Sequence, residues 1–437
     1  VTVNGTTVHP GIYYTSPAQI AAVLPANTPA GTGTITVTYN NETSAPVPIK
    51  VVATAFGIST YNGNTAVVQD STSPTGALYT PTNSAKPGGF ATVWGTGFGA
   101  DPGDSDTAYT TSPHTISTQV DVYVGGVKAT DVRYAGASVY PGVHILVFVI
   151  PTGVPNGCFV PIAVVTGGNV ASNMPVIPVM NNGGTCSEPL YGFDGAKITS
   201  LRGLSNVRLG TLIVGQTVSG ATSSNFASAV FNSVAGSAYG GGQISPGTCS
   251  TSQVALGTPG STIGLDAGPS IGVAGPGGSA NLPPSSKGFY SASLAANAIS
   301  SGTGSFTFTG PGGTDVGQFS ATVNLPNPAL TWTNQSAAAT INRAQGLTVN
   351  WTGGGSGSYL SISGNVVANG ISGNFFCSVP VAAGSFTVPG YVLALLPAGS
   401  GFMTLQDVTA YSSFSANGID LGYGVGYRAI QISSTYQ

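Results

Sequence analysis

The sequence predicts an all-β chain: antiparallel sandwiches in tandem, the first incomplete, followed by a larger β-sandwich-like region. Three observations carry this. Short runs alternate apolar and polar residues between Gly, Pro and Asn turns, the pattern of a half-buried antiparallel sheet. A pattern of about fifty residues occurs twice. Charge is nearly absent, Lys, Arg, Asp and Glu making up 5% of 437 residues against roughly a quarter in an ordinary soluble domain.

The repeat sets the organisation. Its first copy runs through residues 1–5 (VTVNG), 12–14 (IYY), 19–25 (QIAAVLP), 31–38 (GTGTITVT) and 44–50 (SAPVPIK). The second runs through 120–126 (VDVYVGG), 132–135 (VRYA), 143–151 (VHILVFVIP), 157–165 (GCFVPIAVV) and 172–178 (SNMPVIP). The prolines that close the strands lack the N–H that a central ladder needs. Only the second copy is preceded by a strand, 89–99 (GFATVWGTGFG), which completes a seven-strand sandwich. Residues 1–52 are thus half a sandwich, with an apolar face and open edges. Residues upstream, another subunit, or the neighbouring part of this chain are the three candidates to cover it. A subunit that did so would make the protein a polymer by strand addition.

Residues 53–84 read as a linker with a leading strand, and 85–185 as the complete sandwich. Residues 190–437 read as a β-rich region with long Gly/Pro loops and a candidate subdivision near 325–330. Strands are expected there at 211–214, 305–309, 319–325, 347–352, 359–363, 375–380 and 386–388. The segment 225–231 reads as a short helix or an edge segment.

Residues 1–52 and the GGFATVWGTGFG run at 88–99 resemble a large family of exported Ig-like domains of Acidobacteria and related bacteria, similar to the IPT/TIG fold. The family pattern is a strand into a Gly-Thr-Gly turn, a V-x-V-x-G strand, an S-P-x-Q-I segment and a G-T-x-T-V-x-V strand. The first copy matches the second half of this pattern. Residues 85–180 match both halves, except that 138–144 (SVYPGVH) replaces the S-P-x-Q-I segment. The resemblance implies an extracellular or cell-surface location and an exported bacterial protein. It carries over no catalytic residues, because none define the family.

The four cysteines form no CxxC, and His9, His114 and His144 offer no zinc spacing. Three pairings are possible, and four free thiols are the alternative. The pairing that keeps each bridge inside one unit is Cys158–Cys186 with Cys249–Cys377, and disulfides imply export. The chain begins at Val1 with no signal-peptide pattern, which reads as a mature or processed chain. No apolar run is long enough for a membrane helix.

A formal charge of −3, with the basic residues scattered, excludes nucleic acid as a partner. Asp101, Asp104 and Asp106 lie in a Gly-rich loop that suits calcium, but their spacing is not that of an EF-hand. A solvated loop is the competing reading. Glu42, Glu188, Asp194, Asp266, Asp315, Asp407 and Asp420 show no spacing that pairs them for glycoside hydrolysis, and no GxSxG elbow occurs. No enzyme and no cofactor are expected. Tyr13, Tyr14, Tyr134, Tyr140, Trp332 and Trp351 can line a sugar-binding face, since a ring stacks on a pyranose without charge; Trp94, Trp332 and Trp351 also read as core. Asn4, Asn41, Asn334 and Asn350 head glycosylation sequons. The functional expectation is an extracellular structural or adhesive protein, a candidate fibre subunit whose partners are its own copies or other surface proteins. The alternative is a non-catalytic carbohydrate-binding array.

Overall fold

A computed structural model describes residues 1–100, 112–255, 262–299 and 304–437. The chain is predominantly β-sheet, arranged as tandem sandwich-like units. Asp101, Asp104 and Asp106 lie outside the described residues.

The second unit is a closed sandwich. One sheet orders Thr60–Tyr61, Thr65–Ala66, Val176–Val179, Gly157–Thr166, Val120–Val124 and Val127–Lys128. The other orders Val68–Asp70, Phe90–Thr96, His144–Val149 and Val132–Ala137, with Gly57–Ile58 beside Phe90–Thr96. It has more strands than the seven suggested by the sequence, because residues 57–70 add short strands to both sheets. Val93, Val122, Leu146, Phe148, Ile162 and Ile177, all fully buried, fill the space between the sheets.

Beyond residue 205 a large sheet runs in the order Thr248–Ala255, Ile371–Pro380, Tyr359–Ala368, Gly399–Val408, Leu421–Tyr436, Asn206–Ser219, Thr222–Ala235, Phe289–Leu294 and Pro284–Ser286. Two smaller sheets pack on one of its faces. Gly278–Leu282, Ile271–Gly275, Ser305–Gly310 and Phe319–Asn324 cover one half, around Leu212, Phe231, Tyr290 and Phe308. Leu330–Trp332, Leu347–Gly353 and Ser385–Val388 cover the other, around Trp351, Ile362, Phe375 and Leu405. The buried residues of the first core run from Leu212 to Leu325, and those of the second in this region, Cys249 apart, from Leu330 to Tyr436. The large sheet nonetheless passes through both, so they share a backbone ladder.

The segment 225–231 is neither helix nor edge. It lies within Thr222–Ala235, paired on one side with Asn206–Ser219 and on the other with Phe289–Leu294. Ala227, Ala229 and Phe231 are fully buried. Its alanines and serines carry a weak helical signal, and tertiary pairing overrides it.

Period-two alternation gives the large sheet two unlike faces. Its charged residues are Arg208, Asp407 and Arg428, and all three turn toward the packed side. Asp407 and Arg428 are buried there, while Arg208 donates to Asp315 O at 2.5 Å. The opposite face carries rows such as Thr217, Ala429, Gln406, Ser361, Ser378 and Thr248, matched strand to strand. One end of that face is closed by the helix Gly195–Arg202, whose Leu201 packs with Val207 and Tyr239. Asp194 caps this helix by accepting from Lys197 N at 3.0 Å.

The second sandwich docks on the C-terminal region. Ala163 and Met174 enter the Trp351 core, and Tyr123 stacks on Tyr391 with centroids 4.4 Å apart. Cys158 is bonded to Cys186 and Cys249 to Cys377, with sequence separations of 28 and 128. Loop-closure entropy makes the longer bridge worth about 5 kcal/mol and the shorter about 3.5 kcal/mol. Urea titration is therefore expected to show a larger loss for Cys249→Ser/Cys377→Ser than for Cys158→Ser/Cys186→Ser. Equal losses, or free thiols in the native protein, would contradict the bridge assignment.

Candidate functional site: an uncovered half-sandwich

Residues 1–52 rebuild part of the second sandwich strand for strand. Thr6–Thr7, Thr2–Val3, Gly31–Ile35 and Val47–Val51 form a sheet in that order. The order is that of Val127–Lys128, Val120–Val124, Gly157–Thr166 and Val176–Val179. The first hairpin turns at Asn4 and Gly5, with φ of 47° and 81°, the left-handed pair that suits the twist of a two-residue loop. Gly125 and Gly126 turn the matching hairpin, with φ of 56° and 86°. The second sheet is the hairpin Gly11–Thr15 with Ile20–Val23, equivalent to Val132–Ala137 with His144–Val149. Even the irregularity recurs, since the register shifts between Ile12 and Tyr14 as it does between Val132 and Tyr134.

The copies differ at one edge. His144–Val149 pairs on its far side with Phe90–Thr96, from Gly95↔His144 to Phe90↔Val149. Among the described residues no strand pairs with the far side of Ile20–Val23. Burial follows from this. In the first unit Val3 and Val8 are buried, whereas Ile12 is 56% exposed, Tyr14 52%, Ile20 46% and Val47 56%. The neighbouring sandwich touches the hairpin at Gly142, where an added Cβ would fall 2.7 Å from Val23 Cγ2, and leaves those side chains in the open. Residues 19–24 carry no charge, so the edge lacks the lysines and glutamates that ordinarily block strand addition. Ser16 pins the hairpin turn by accepting from Gln19 N at 3.1 Å.

The other singled-out residues are dispersed. Trp332 and Trp351 are buried core, and Tyr134 donates to His114 O and Ala137 O. Trp94 donates to Gln69 Oε1 at 2.7 Å and leans on Tyr140, which is half-exposed with Tyr13 and Tyr14. His9 is exposed, and His114 and His144 are half-buried. Glu42 is exposed, and Asp420 accepts from Arg208 N. The amides of Asn4, Asn334 and Asn350 are engaged by Ala30, Thr348 and Ser385, and Asn41 sits in a left-handed turn.

Asp266 and Asp315 are the carboxylates that the fold brings together. Asp266 accepts from Thr314 N and Gly268 N, while Asp315 accepts from Asp266 N and pairs with Lys287 at 2.9 Å. Backbone N–H groups hold Asp266 down at about 2, and Asp315 is lowered for the same reason. A glycosidase pair needs one carboxyl raised to act as acid, and neither is. Among the described residues no three His, Cys, Asp or Glu side chains converge as a metal site, and no helix is long and apolar enough to cross a membrane.

Glu188 and Ser245 were invisible as a pair from the sequence. Glu188, fully buried, accepts from Ser245 Oγ at 2.6 Å and Cys158 N at 3.1 Å; Ser245 in turn accepts from Phe159 N. The cluster ties the second sandwich to the C-terminal region. Desolvation pushes the Glu188 carboxyl up to about 7, against the hydrogen bonds that lower it. A raised folded-state value stabilises below the unfolded value near 4.5 and is lost as pH climbs through about 7.

No protein-family model and no curated protein matches the chain. Among solved structures, a tetra-tandem repeat from the extending region of a large adhesion protein is 14% identical, covering 91% of this chain and 81% of that one, with a TM-score of 0.15. A tandem from titin is 8% identical over 81% of this chain and 96% of that one, with a TM-score of 0.13. An endo-fucoidan hydrolase of glycoside hydrolase family 107 is 13% identical over 77% and 44%, with a TM-score of 0.13. Superpositions this poor assign neither a family nor a function.

Thermal melts from pH 4 to 8 are expected to show stability falling by roughly 3 kcal/mol through the Glu188 titration. Glu188→Gln should flatten most of that slope. A wild-type profile that is flat over this range would rule the assignment out.

Proposed function

We propose that this chain is an extracellular structural or adhesive protein of bacterial surfaces, built from Ig-like sandwiches of the IPT/TIG kind and assembled through β-strand contacts. The observation that carries the reading is the half-sandwich lying beside its own complete copy. The complete copy supports it: there the equivalent strand, His144–Val149, pairs antiparallel with Phe90–Thr96, whose Ala91 and Val93 lie in the core. Two disulfides suit an oxidising compartment. A surface of hydroxyls, amides and backbone suits lasting contact better than turnover. Adhesion to a neutral glycan is the second reading, and it rests on a different surface, the outer face of the large sheet.

The test is assembly. Electron microscopy and light scattering of the native protein should show multimers joined end to end, and a peptide of residues 89–97 should compete for the Ile20–Val23 edge. Ile20→Lys and Ala22→Lys should leave monomers and abolish peptide uptake. A protein that stays monomeric at high concentration and ignores the peptide defeats the reading.

A further inference from the structure

The large sheet has an outer face that its two cores do not use. Along one row Ser252, Asn374, Asn365, Phe402 and Ser433 stand side by side across five strands. In the next row Phe376, Ser363, Thr404 and Gln431 continue the pattern. Among the described residues no strand of the sheet presents a charged side chain on this face, because the sheet's three point to the packed side. Phe402 is 50% exposed, and Ser252 and Ser433 are also exposed.

We infer that this face binds a neutral polysaccharide. The amides are already oriented: Asn365 Nδ2 donates to Asn374 Oδ1 at 2.8 Å, and Gln431 Nε2 donates to Thr404 Oγ1 at 3.2 Å. Adjacent strands space these groups by about 4.8 Å, and alternate residues by about 6.7 Å along each strand, a lattice on the scale of linked sugar rings. Serine, threonine and asparagine lose little side-chain entropy on binding. Hydroxyls and amides match sugar hydroxyls, and a half-exposed phenylalanine offers its ring to the C–H face of a pyranose. The absence of charge selects the ligand class. A neutral polymer leaves no buried ion unpaired here, whereas an anionic or cationic one finds no counter-charge. A second protein copy fits less well, since the cores of protein interfaces are richer in apolar and aromatic groups than this one.

The experiment is retention of the whole protein on amorphous cellulose, insoluble xylan, mannan and β-1,3-glucan, with polygalacturonate as the charged control. Retention is expected on at least one neutral polymer and should survive 1 M salt, where charge interactions are screened within roughly 3 Å. Phe402→Ala should weaken it about fivefold. Thr404→Lys should weaken it about tenfold by setting a charge into the face, with an unchanged melting temperature in both variants. Ala22→Lys, at the other surface, should bind as the wild type does, which separates this inference from strand assembly. No retention on any of the four polymers overturns it, as does equal retention by all variants. A Thr404→Lys protein that dissociates from oligomer to monomer without affecting retention also overturns it, because the face would then be a contact between copies.

Discussion

The parallel pairing of Asn206–Ser219 with Leu421–Tyr436 is the interaction on which the C-terminal region depends. Eleven residue pairs, Leu209↔Leu421 to Ser219↔Gln431, join the beginning of that region to its end. On one side of the seam hang the long hairpin partner Thr222–Ala235 and the Leu212 core; on the other hang Gly399–Val408 and the Trp351 core. Losing this ladder would split one sheet into two and open an edge on each half. The contact spans some two hundred residues of sequence, so its loop entropy must be overcome before either core is complete. Glycine lets the seam close. Gly215 lies beneath the Tyr427 ring, where an added Cβ would come within 2.6 Å of it.

Scarcity of charge governs what remains. With few ions available, the buried carboxyls are held by hydrogen bonds from hydroxyls and backbone N–H groups, with Arg428 opposite Asp407 as the one added charge among these contacts. Glu188 rests on Ser245 and Cys158 N, and Asp407 on Ser358 and Gly355 N, both carboxyls raised by burial. Such sites cost less than an isolated buried carboxylate and more than an apolar one. Scarcity on the outside has the opposite consequence. Neither the Ile20–Val23 edge nor the outer face of the large sheet carries the charges that keep β surfaces apart. The two surfaces nonetheless differ in kind, one being a bare apolar hairpin and the other a lattice of hydroxyls and amides.

Alternation and the repeat made the all-β class and the tandem organisation legible in the chain, because period two and Gly/Pro/Asn turns are local properties. The repeat is the clearest instance: two copies compared as text already differ by one strand. The segment 225–231 shows where local signals fail, since its small residues suit several conformations and only neighbours on both sides make it a strand. Glu188 shows the same for chemistry. Nothing near it in sequence marks it as buried, and Ser245 reaches it from 57 positions away. The outer face is likewise absent from the text, for its serines and asparagines come from strands scattered between Ser252 and Ser433. Sequence by itself determined which residues alternate, where the Gly, Pro and Asn turns fall and how little charge there is to distribute. Only the tertiary structure decided which alternating face is covered, because covering depends on pairing between distant strands.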